Sequence, residues 1–544
     1  MNTRQLQTDK NQKLYHALLG ILLVCALAMM MLLSYWACKY SYYGAVDGRT
    51  RGVLVGDKTW AHIAVFLAAS LCTMGIDKVL MKKDKSQQEK ICMCTLIVTS
   101  VIAFILGVFY VCKNPYYPVG DQINTTAFAA YCRDGNFSML SIGGYVGMYQ
   151  QQKGLAILYE ILFTLFGDFN YRPAKILHVV WWILTILAGY GFLKLNTDRP
   201  VFRMLYCVMM LGCFPLLFYL PYIYGDVLSI SFGIILFYGV AAYEHSGQKR
   251  YIALASFAAG LAVLARKNTW IVLVAVAVYV LLVSLRKKKV RYLMAGTAIL
   301  LTAALSVKAV DVIYEVRSGY PSGVGIPSIL WVAMGLQETE GRAGVYNRYQ
   351  QATFTDYDCQ QELAAQQGKE YIRERLEEFS QDPGMAFNFF KNKVEGQWIE
   401  PMYAALESTE SFEEGAELSP VLESLYYGEL GRTIWKLTNY YQSILYLAGL
   451  MALVMLGILW WKKKEVPISL WLPWIAVFGG FLFSILWEAK SRYVFPYCVF
   501  MILYAPEGLY QTGLLLCKLP KLRKFKKSRH TQDKGEEAPL RETA

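Results

Sequence analysis

The sequence predicts an all-α polytopic membrane protein with about twelve transmembrane helices and two large extracytoplasmic loops. Of the 544 residues, 55% are hydrophobic and only 17% are charged, whereas soluble domains carry about 25% charged residues. The apolar residues also lie in long runs, and a run of about 20 such residues spans the hydrocarbon core of a bilayer. These observations exclude a soluble globular protein.

Twelve runs are interpreted as spans. In chain order they are 16–38, 58–80, 91–112, 174–195, 201–219, 222–243, 251–266, 269–285, 291–310, 438–461, 467–487 and 493–516. The first run is too long for the apolar core of a signal peptide and has no small-residue cleavage site after it, so we expect it to remain as a span. Lys and Arg retained in short connectors mark the cytoplasmic side. The basic stretches 82–90, 286–291, 462–464 and 518–529 therefore place both termini in the cytoplasm.

Charge also divides the chain into segments. Residues 311–437 hold 21 of the 41 acidic residues and only 10 of the 54 basic ones, so we expect this segment outside. The predicted organisation is an N-terminal two-span extension with a cytoplasmic loop (1–90), a seven-span module (91–310) whose first outer loop is 113–173, a partly helical second outer loop (311–437), a three-span segment (438–517) and a basic cytoplasmic tail (518–544). A basic tail on a membrane protein suits an anionic leaflet. Membrane lipid is therefore an expected partner, and nucleic acid is not.

The hydrophobic stretch 154–167 is not counted as a span. Its 14 residues are too few to cross a bilayer, and Glu160 in its middle would be costly in lipid. We predict an amphipathic helix along the outer surface. In the second outer loop, residues 359–381 have helical spacing, the DPG at 382–384 ends that helix, and a shorter helix is expected at 385–395.

Cysteine and asparagine patterns bear on the compartment. Cys132 and Cys359 are the cysteines of the two large exposed segments, and either a disulfide between them or two free thiols fits the sequence. No Cys or His spacing typical of a zinc site is present. Asn124 and Asn136 begin glycosylation acceptor patterns, and a glycan on Asn124 in an endoplasmic reticulum lumen would crowd Asp121. We therefore expect a multi-pass protein of the cell membrane, in a bacterial plasma membrane.

Charged residues gather where predicted spans end on the outer face. They are Asp121 after the third span, in KNPYYPVGDQ; Asp226 near the start of a later span; Arg266 and Lys267 in a two-span turn; and the EAKSRY turn at 488–493. Charges at span ends are costly and tend to pair or to face a cavity. One interpretation is a cleft that opens outward at the membrane boundary, and the other is ordinary loop charge. Outer turns otherwise avoid bases, which favours the cleft.

These side chains suit a phosphorylated lipid substrate. The sequence contains no P-loop and no dinucleotide-binding fingerprint. Arg and Lys bind phosphate oxygens, and a carboxylate can take a proton from an acceptor hydroxyl. The pattern predicts transfer of a sugar from a polyprenyl-phosphate-linked donor to a cell-envelope acceptor, with Asp121 as the general base. The acceptor is a glycan, a lipid or a protein.

The order of these features resembles the GT-C superfamily of membrane glycosyltransferases, in the branch of the protein O-mannosyltransferases and the aminoarabinose transferase. The matching features are the loop opening with YPVGDQ, the surface helix GLAILYEILFTLFGD, the arginine after it, and a seven-span module that ends in a second large outer loop. The resemblance implies that Asp121 is catalytic. It also implies that Arg266, Lys267, Arg492 and Arg172 bind the donor phosphate.

One departure from the family pattern concerns metal binding. Many relatives carry Asp-Glu where this chain has Asp121 and Gln122. We therefore assign no metal ligand and no certain cofactor, and a divalent metal is left open. Asp226, Glu488 and Gln122 are candidates for a second acid or an acceptor-binding group. Asp226 has an alternative structural role, because a negative charge stabilises a helix N-terminus.

Two other functions fit parts of the sequence. A transporter or flippase of lipid-linked saccharides would carry polar groups near the bilayer midplane, whereas most predicted spans here are uncharged in their middles. A non-catalytic envelope-assembly protein would not need Asp121. Because the charges cluster at one boundary, the enzyme is favoured over both.

The start of the second outer loop, 319–349, is rich in glycine and proline. It is interpreted either as a cap over the cleft or as a packed lid without chemistry. Trp331, Tyr346 and Trp398 are suited to stacking on sugars, and interface anchoring explains aromatic residues equally well.

Overall fold

The computed structural model describes residues 3–43, 53–323, 325–464 and 466–532, and helices form most of this part of the chain. In chain order the helices are α1 (Thr3–Lys39), α2 (Thr59–Leu80), α3 (Lys85–Lys113), α4 (Asp121–Arg133), α5 (Tyr145–Met148), α6 (Lys153–Phe166), α7 (Arg172–Asn196), α8 (Pro200–Leu211), α9 (Phe214–Phe218), α10 (Asp226–Ser246), α11 (Lys249–Ala265), α12 (Trp270–Lys287), α13 (Val290–Ser318), α14 (Ile329–Gly335), α15 (Tyr349–Asp356), α16 (Gln361–Gln381), α17 (Pro383–Trp398), α18 (Ala405–Ser408), α19 (Pro420–Tyr427), α20 (Glu429–Trp461), α21 (Leu472–Leu486), α22 (Ser491–Met501) and α23 (Ala505–Gln532). Short 3-10 helices lie at Ser138–Leu140, Gln150–Gln152, Lys267–Thr269 and Ile468–Trp471. Two small antiparallel pairs complete the structure: β1 (Tyr40–Tyr43) with β2 (Val53–Gly56), and β3 (Glu338–Thr339) with β4 (Arg342–Ala343).

Nine helices in the described ranges are long and apolar enough to cross a membrane. They are Asn11–Lys39, Thr59–Leu80, Lys85–Lys113, Arg172–Asn196, Asp226–Ser246, Lys267–Lys287, Val290–Ser318, Glu429–Trp461 and Ile468–Leu486. Each overlaps one of the predicted spans. The chain is therefore an all-α polytopic membrane protein, as its composition predicts.

The other three predicted spans coincide with shorter or broken helices. The run 251–266 forms α11, which has 17 residues. The runs 201–219 and 493–516 are each divided, between α8 and α9 and between α22 and α23. Proline accounts for both divisions, because Pro215 and Pro506 lie in the first turns of α9 and α23. A proline is tolerated there but cannot continue a preceding helix.

Polar contacts between helix ends form two layers, one at each end of α10. In one, Arg266 after α11 pairs with Asp226 at the start of α10. In the other, Arg203 of α8 pairs with Glu89 of α3, and Glu244 near the end of α10 accepts from the backbone N–H of Ser469. We call the layer around Asp226 the site layer and the layer around Glu244 the opposite layer. The 21 residues of α10 make a rod about 30 Å long, which matches the hydrocarbon core of a bilayer.

α10 is the central helix. In its 18-residue apolar stretch, 78% is buried, the largest share among the nine candidate spans described. Glycine lets two neighbours approach its backbone closely. A Cβ on Gly239 would lie 3.0 Å from the carbonyl oxygen of Tyr251 in α11, and one on Gly233 would lie 2.8 Å from the Phe500 ring in α22. Small residues serve the same purpose in other membrane-helix contacts. This packing places both α11 and α22 against the helix that carries Asp226.

The predicted surface helix is present as α6. Leu155, Tyr159 and Phe163 bury one of its faces, whereas Leu165 is 68% exposed. The side chain of Glu160 does not face lipid: it pairs with Arg317 at the end of α13 at 2.6 Å and accepts from the Tyr314 hydroxyl at 3.2 Å. The helix is confirmed, and its position along a membrane surface stays a prediction.

Residues 319–428, between α13 and α20, form what we call the cap segment. The cap segment is shorter than the predicted loop 311–437, because both flanking helices extend beyond their apolar runs. The predicted DPG stop is confirmed: α16 ends at Gln381, and the Asp382 side chain accepts from the backbone N–H of Met385 at 2.9 Å to cap α17. At the other end of the chain, the backbone of the predicted basic tail is helical to Gln532, and residues 533–544 lie outside the described ranges.

Candidate functional site

A cavity of about 1320 Å³ lies in the site layer, between the helix ends and the cap segment. Its charged lining residues are Asp121, Glu340, Arg342, Lys393, Glu395, Glu400, Glu407, Glu488, Lys490 and Arg492. Tyr42 and Leu54 of the β1–β2 hairpin line it as well. Ligand pockets for drug-sized molecules measure about 300–1,000 Å³, so this cavity is large enough for two substrates.

The stretch KNPYYPVGDQ carries the chain from α3 to this cavity. Asn114 follows α3, and its side chain donates to the Tyr426 hydroxyl of the cap segment at 2.9 Å. Tyr116 is fully buried and pairs with Phe412 in a short antiparallel bridge. Gly120 then adopts φ +58°, a conformation that glycine tolerates without strain. These contacts hold the loop against the cap segment and begin α4 at Asp121.

Asp121 is exposed at the start of α4 and is held by two phenols. Tyr145 donates to its Oδ1 at 2.8 Å, and Tyr224 donates to its Oδ2 at 3.0 Å. Burial, reinforced by the Asp121 carboxylate, raises the pKa of the Tyr145 hydroxyl, so this group remains a protonated donor. An ionised carboxylate has about four lone-pair sites. The two phenols therefore orient Asp121 and leave it free to accept a proton from a ligand.

Two arginines beside this carboxylate share one buried aspartate. Nη2 of Arg266 lies 3.3 Å from Oδ1 of Asp226, and Nε of Arg492 lies 3.9 Å from the same oxygen. The side chains of Arg492 and Asp226 are only 5% and 3% exposed. Two guanidinium groups and one carboxylate leave a net positive charge. The carboxylates of Asp121 and Glu488 lie nearby, so an anion at the arginines would compete with these two acids.

Tyr224 connects Asp121 with both arginines. Its hydroxyl binds the Asp121 carboxylate, and its ring centroid lies 4.9 Å from the guanidinium carbon of Arg266 and 5.2 Å from that of Arg492. Arg492 also donates to the Tyr222 hydroxyl. Cation–π contacts stabilise guanidinium groups over such rings. The structure thus brings together Asp121, Arg266 and Arg492 around one aromatic side chain.

Glu488 and Lys490 place further charge in the same cavity. Glu488 is buried and accepts from the Tyr493 hydroxyl at 3.4 Å. Burial raises the pKa of its carboxyl; Lys490 acts in the opposite direction, and Asp121 adds to the rise. Glu488 is therefore the predicted second acid that lies within electrostatic range of Asp121.

The remaining sequence-predicted residues do not present free groups to the described cavity. Arg266 and Asp226 lie behind Tyr224 and do not line it, whereas Lys267 and Arg172 are exposed elsewhere in the site layer. Gln122 lines the cavity, but its Oε1 accepts from the backbone N–H of Ile223 at 3.1 Å and its Nε2 donates to the Tyr116 hydroxyl at 2.5 Å. Donor-phosphate binding by Arg172, Arg266, Lys267 and Arg492 stays a prediction.

Several cavity residues carry no signal in the sequence. Lys393 is fully buried on α17, donates to the carbonyl of Gly335, and has its pKa lowered by burial to about 7. The Glu400 carboxylate accepts from the backbone N–H groups of Met402 at 2.8 Å and Ala404 at 2.6 Å, while burial raises its pKa. Tyr224 had the best available signal, because it lies two residues before Asp226 in PYIYGD.

The aromatic predictions have mixed outcomes. Trp331 and Tyr346 line the cavity. Trp398 is fully buried, and its Nε1 donates to the Ser484 hydroxyl at 3.0 Å, so neither sugar stacking nor interface anchoring applies to it. Cys132 and Cys359 are both free thiols, which answers the alternative that the sequence left open.

Among the described residues, no three His, Cys, Asp or Glu side chains converge as ligands for a metal ion. No residue is therefore assigned to the divalent metal that the sequence left open. Comparison of the chain with protein-family models, curated proteins and solved structures finds no match. The function is therefore argued from the geometry and chemistry of the site.

Proposed function

We propose that this protein is a membrane glycosyltransferase of the GT-C type, which moves a sugar from a polyprenyl-phosphate-linked donor to a cell-envelope acceptor. The observation that carries the proposal is the cavity-exposed carboxylate of Asp121, which two phenols orient and which Tyr224 joins to Arg492. A general base and a cation suited to phosphate are thereby separated by one side chain. Glycosyl transfer from a lipid phosphate needs these two groups side by side.

The proposal includes twelve membrane crossings. Besides the nine apolar helices, three segments connect the two polar layers: 200–218, 249–265 and 491–516. The first, for example, begins near Glu89 in the opposite layer and leads to Tyr222 beside Arg492. The strongly basic connectors 82–90 and 286–291 meet the opposite layer through Glu89 and Lys287, and the positive-inside rule assigns that layer to the cytoplasm. The cavity then opens outside, in the setting of a bacterial plasma membrane with both termini cytoplasmic.

The proposed reaction needs one proton transfer and one substitution. The Asp121 carboxylate accepts the proton of an acceptor hydroxyl, and the oxygen attacks the anomeric carbon of the donor sugar. The bond from that carbon to the phosphate oxygen breaks, and its electrons leave with the polyprenyl phosphate. The leaving phosphate gains negative charge, which Arg492 stabilises. Tyr145 and Tyr224 keep the carboxylate in position throughout.

The arrangement of charge favours this reaction over transport. A flippase would carry charged groups between the two layers, whereas α10 has no charged side chain between Asp226 and Glu244. A non-catalytic assembly protein would have no use for an oriented carboxylate in a large cavity. The transporter and the scaffold therefore become outcomes of the test below.

The test is transfer from a panel of radiolabelled polyprenyl-phosphate sugars in membranes that contain the wild-type protein or the Asp121→Asn variant. The amide keeps the size of the side chain but removes the base, so we expect transfer to fall about 10²–10⁴-fold while thermal stability is unchanged. Asp134→Asn, an exposed acid at the end of α4, is the matched control and should keep full activity. Full activity in Asp121→Asn would show that Asp121 is not the base. If the wild type transfers sugar from none of the donors, the proposed glycosyltransferase function is wrong.

A further inference from the structure

An aromatic wall of the cavity leads away from Asp121. The Tyr145 ring packs on Tyr149, with centroids 5.1 Å apart, and Tyr149 meets the edge of Trp331 at 6.3 Å. Tyr346 lines the same cavity and is 47% exposed. Aromatic faces provide large apolar contact area, and the C–H face of a sugar ring is an apolar surface of matching size. This wall therefore has the chemistry that binds pyranose rings.

Buried polar groups in the same cavity have hydrogen-bonding capacity to spare. Gln350 is fully buried, and apart from an interaction with the Tyr149 hydroxyl, neither polar atom of its amide has a hydrogen-bond partner in the described residues. Oε1 of Glu395, a side chain that is 3% exposed, also lacks one. Unpaired buried polar atoms are rare and costly. An amide and a carboxylate oxygen beside aromatic rings suit the hydroxyl groups of a saccharide.

The position of this wall assigns it to the acceptor. Arg492 lies at the start of α22, and Tyr222 lies in the loop before α10. Trp331, Tyr346 and Gln350 belong to the cap segment, and Tyr149 follows α5. A polyprenyl donor keeps its chain in hydrocarbon, so its phosphate approaches from the helix side. The acceptor must then approach Asp121 from the cap side. The volume of about 1320 Å³ leaves room for both.

We propose that this wall is a saccharide-binding subsite and that the acceptor is a glycan, rather than a protein or a simple lipid. The assignment of the bound glycan as acceptor rests on the proposed glycosyltransferase function. The subsite holds the acceptor by stacking on Trp331 and Tyr346 and by hydrogen bonds to Gln350. The end of the wall at Tyr145, which donates to Asp121, then places one glycan hydroxyl beside that carboxylate.

The first experiment measures binding without turnover. Purified full-length Asp121→Asn protein is applied to an array of microbial oligosaccharides, and the best oligosaccharide is titrated by tryptophan fluorescence. We expect saturable binding, weakened about tenfold by Tyr346→Ala or Trp331→Leu in the same background, as expected for the loss of one stacked ring. Tyr320→Ala, on the cap segment outside the cavity lining, is the control. The absence of binding on the array, or equal binding by all these variants, would overturn the proposal.

A kinetic experiment separates acceptor from donor in protein with an intact Asp121. Tyr346→Ala should raise KM for the oligosaccharide acceptor about tenfold and leave KM for the polyprenyl-phosphate sugar unchanged. A rise in the donor KM alone would show that the wall holds the donor sugar, and the acceptor assignment would be wrong. Loss of transfer in Asp121→Asn without saccharide binding would keep the glycosyltransferase and reject the glycan acceptor. Saccharide binding with full transfer in that variant would reject the base and keep the subsite.

Discussion

The two ends of α10 show two different uses of a buried carboxylate. At the opposite end, Glu244 is fully engaged: Tyr279 donates to it at 2.8 Å, the backbone N–H of Ser469 donates at 2.9 Å, and Lys287 pairs with it at 2.9 Å. At the site end, Oδ1 of Asp226 lies near two arginines, and its Oδ2 has no hydrogen-bond partner in the described residues.

The two clusters differ in how completely their charges and hydrogen-bonding groups are paired. Glu244 and Lys287 neutralise each other, and every carboxylate oxygen there has a partner. At Asp226 two arginines share one carboxylate oxygen, and beside them Asp121 keeps free lone pairs toward the cavity. A satisfied polar cluster rigidifies a fold, whereas an incompletely satisfied one requires an explanation, such as a bound water, an ion, a catalytic role or a ligand. A charged residue at a span end is therefore insufficient evidence of a site. A charged group that faces a cavity and has free hydrogen-bonding capacity is better evidence.

Among comparisons of the two ends of α10, the largest expected effect comes from replacing one cation in each cluster with a neutral side chain. Arg492→Gln should lower transfer about 10²–10³-fold, because the leaving phosphate loses its stabilising charge. Lys287→Gln should leave transfer per folded molecule unchanged and lower stability by about 2 kcal/mol, because Glu244 loses its counter-charge. Initial rates and thermal unfolding in detergent measure both quantities. Equal loss of activity in the two variants would contradict the division into a site and a structural cluster.

The pH dependence of stability sharpens the contrast between Lys287, which pairs with a carboxylate, and Lys393, which donates to a backbone carbonyl. Lys393 has a carbonyl partner and a pKa lowered by burial to about 7 from an ordinary value of 10.5. Since the unfolded chain binds this proton up to pH 10.5, the group adds stability as pH rises above 7, by about 1.4 kcal/mol per pH unit.

Lys393→Met should remove this dependence. We expect the variant to be more stable than the wild type at pH 6, with a gap that narrows steadily between pH 7 and pH 9. Thermal unfolding at four pH values between 6 and 9 measures the difference between the two proteins, which cancels the titration of their shared groups. A gap independent of pH would show that Lys393 is charged throughout this range.

The smallest expected effect comes from the same chemical change at both ends. Tyr145→Phe removes one donor to Asp121 and should lower transfer about tenfold, because the base is less well oriented. Tyr279→Phe removes one donor to Glu244 and should lower stability by about 1 kcal/mol without changing the rate. An activity loss in Tyr279→Phe at unchanged stability would show that the two layers are coupled.

Much of the fold could be predicted from hydropathy because a bilayer demands long apolar runs. The boundaries that failed lie at Pro215 and Pro506, where single predicted spans became two helices. Both prolines are visible in the sequence, but an apolar run on either side concealed the division. The surface helix could be predicted because its length and Glu160 both argue against a crossing.

The site could be predicted only where alternation of the spans settles the side on which a residue lies. Asp121 and Arg492 were predicted on one face in this way, since each lies next to a span that ends there, and both line the cavity; their roles stay a prediction. Tyr145, Lys393 and Glu400 could not be found, because their places depend on how the loops after α4 and the cap segment fold. Trp398 was misassigned for the same reason. The sequence around it is typical of an aromatic residue at an interface, and only the tertiary structure shows that it packs against α21.

The sequence by itself determined the membrane class, the positions of most spans, and the layer in which each charged turn lies, because transfer into hydrocarbon is a local property that sums along the chain. Only the tertiary structure decided which of those charges lie in contact, which are neutralised, and which face a cavity. The physical reason is that pairing and burial depend on distances between segments far apart in the chain. Hydropathy records no such distances, and side-chain packing sets them.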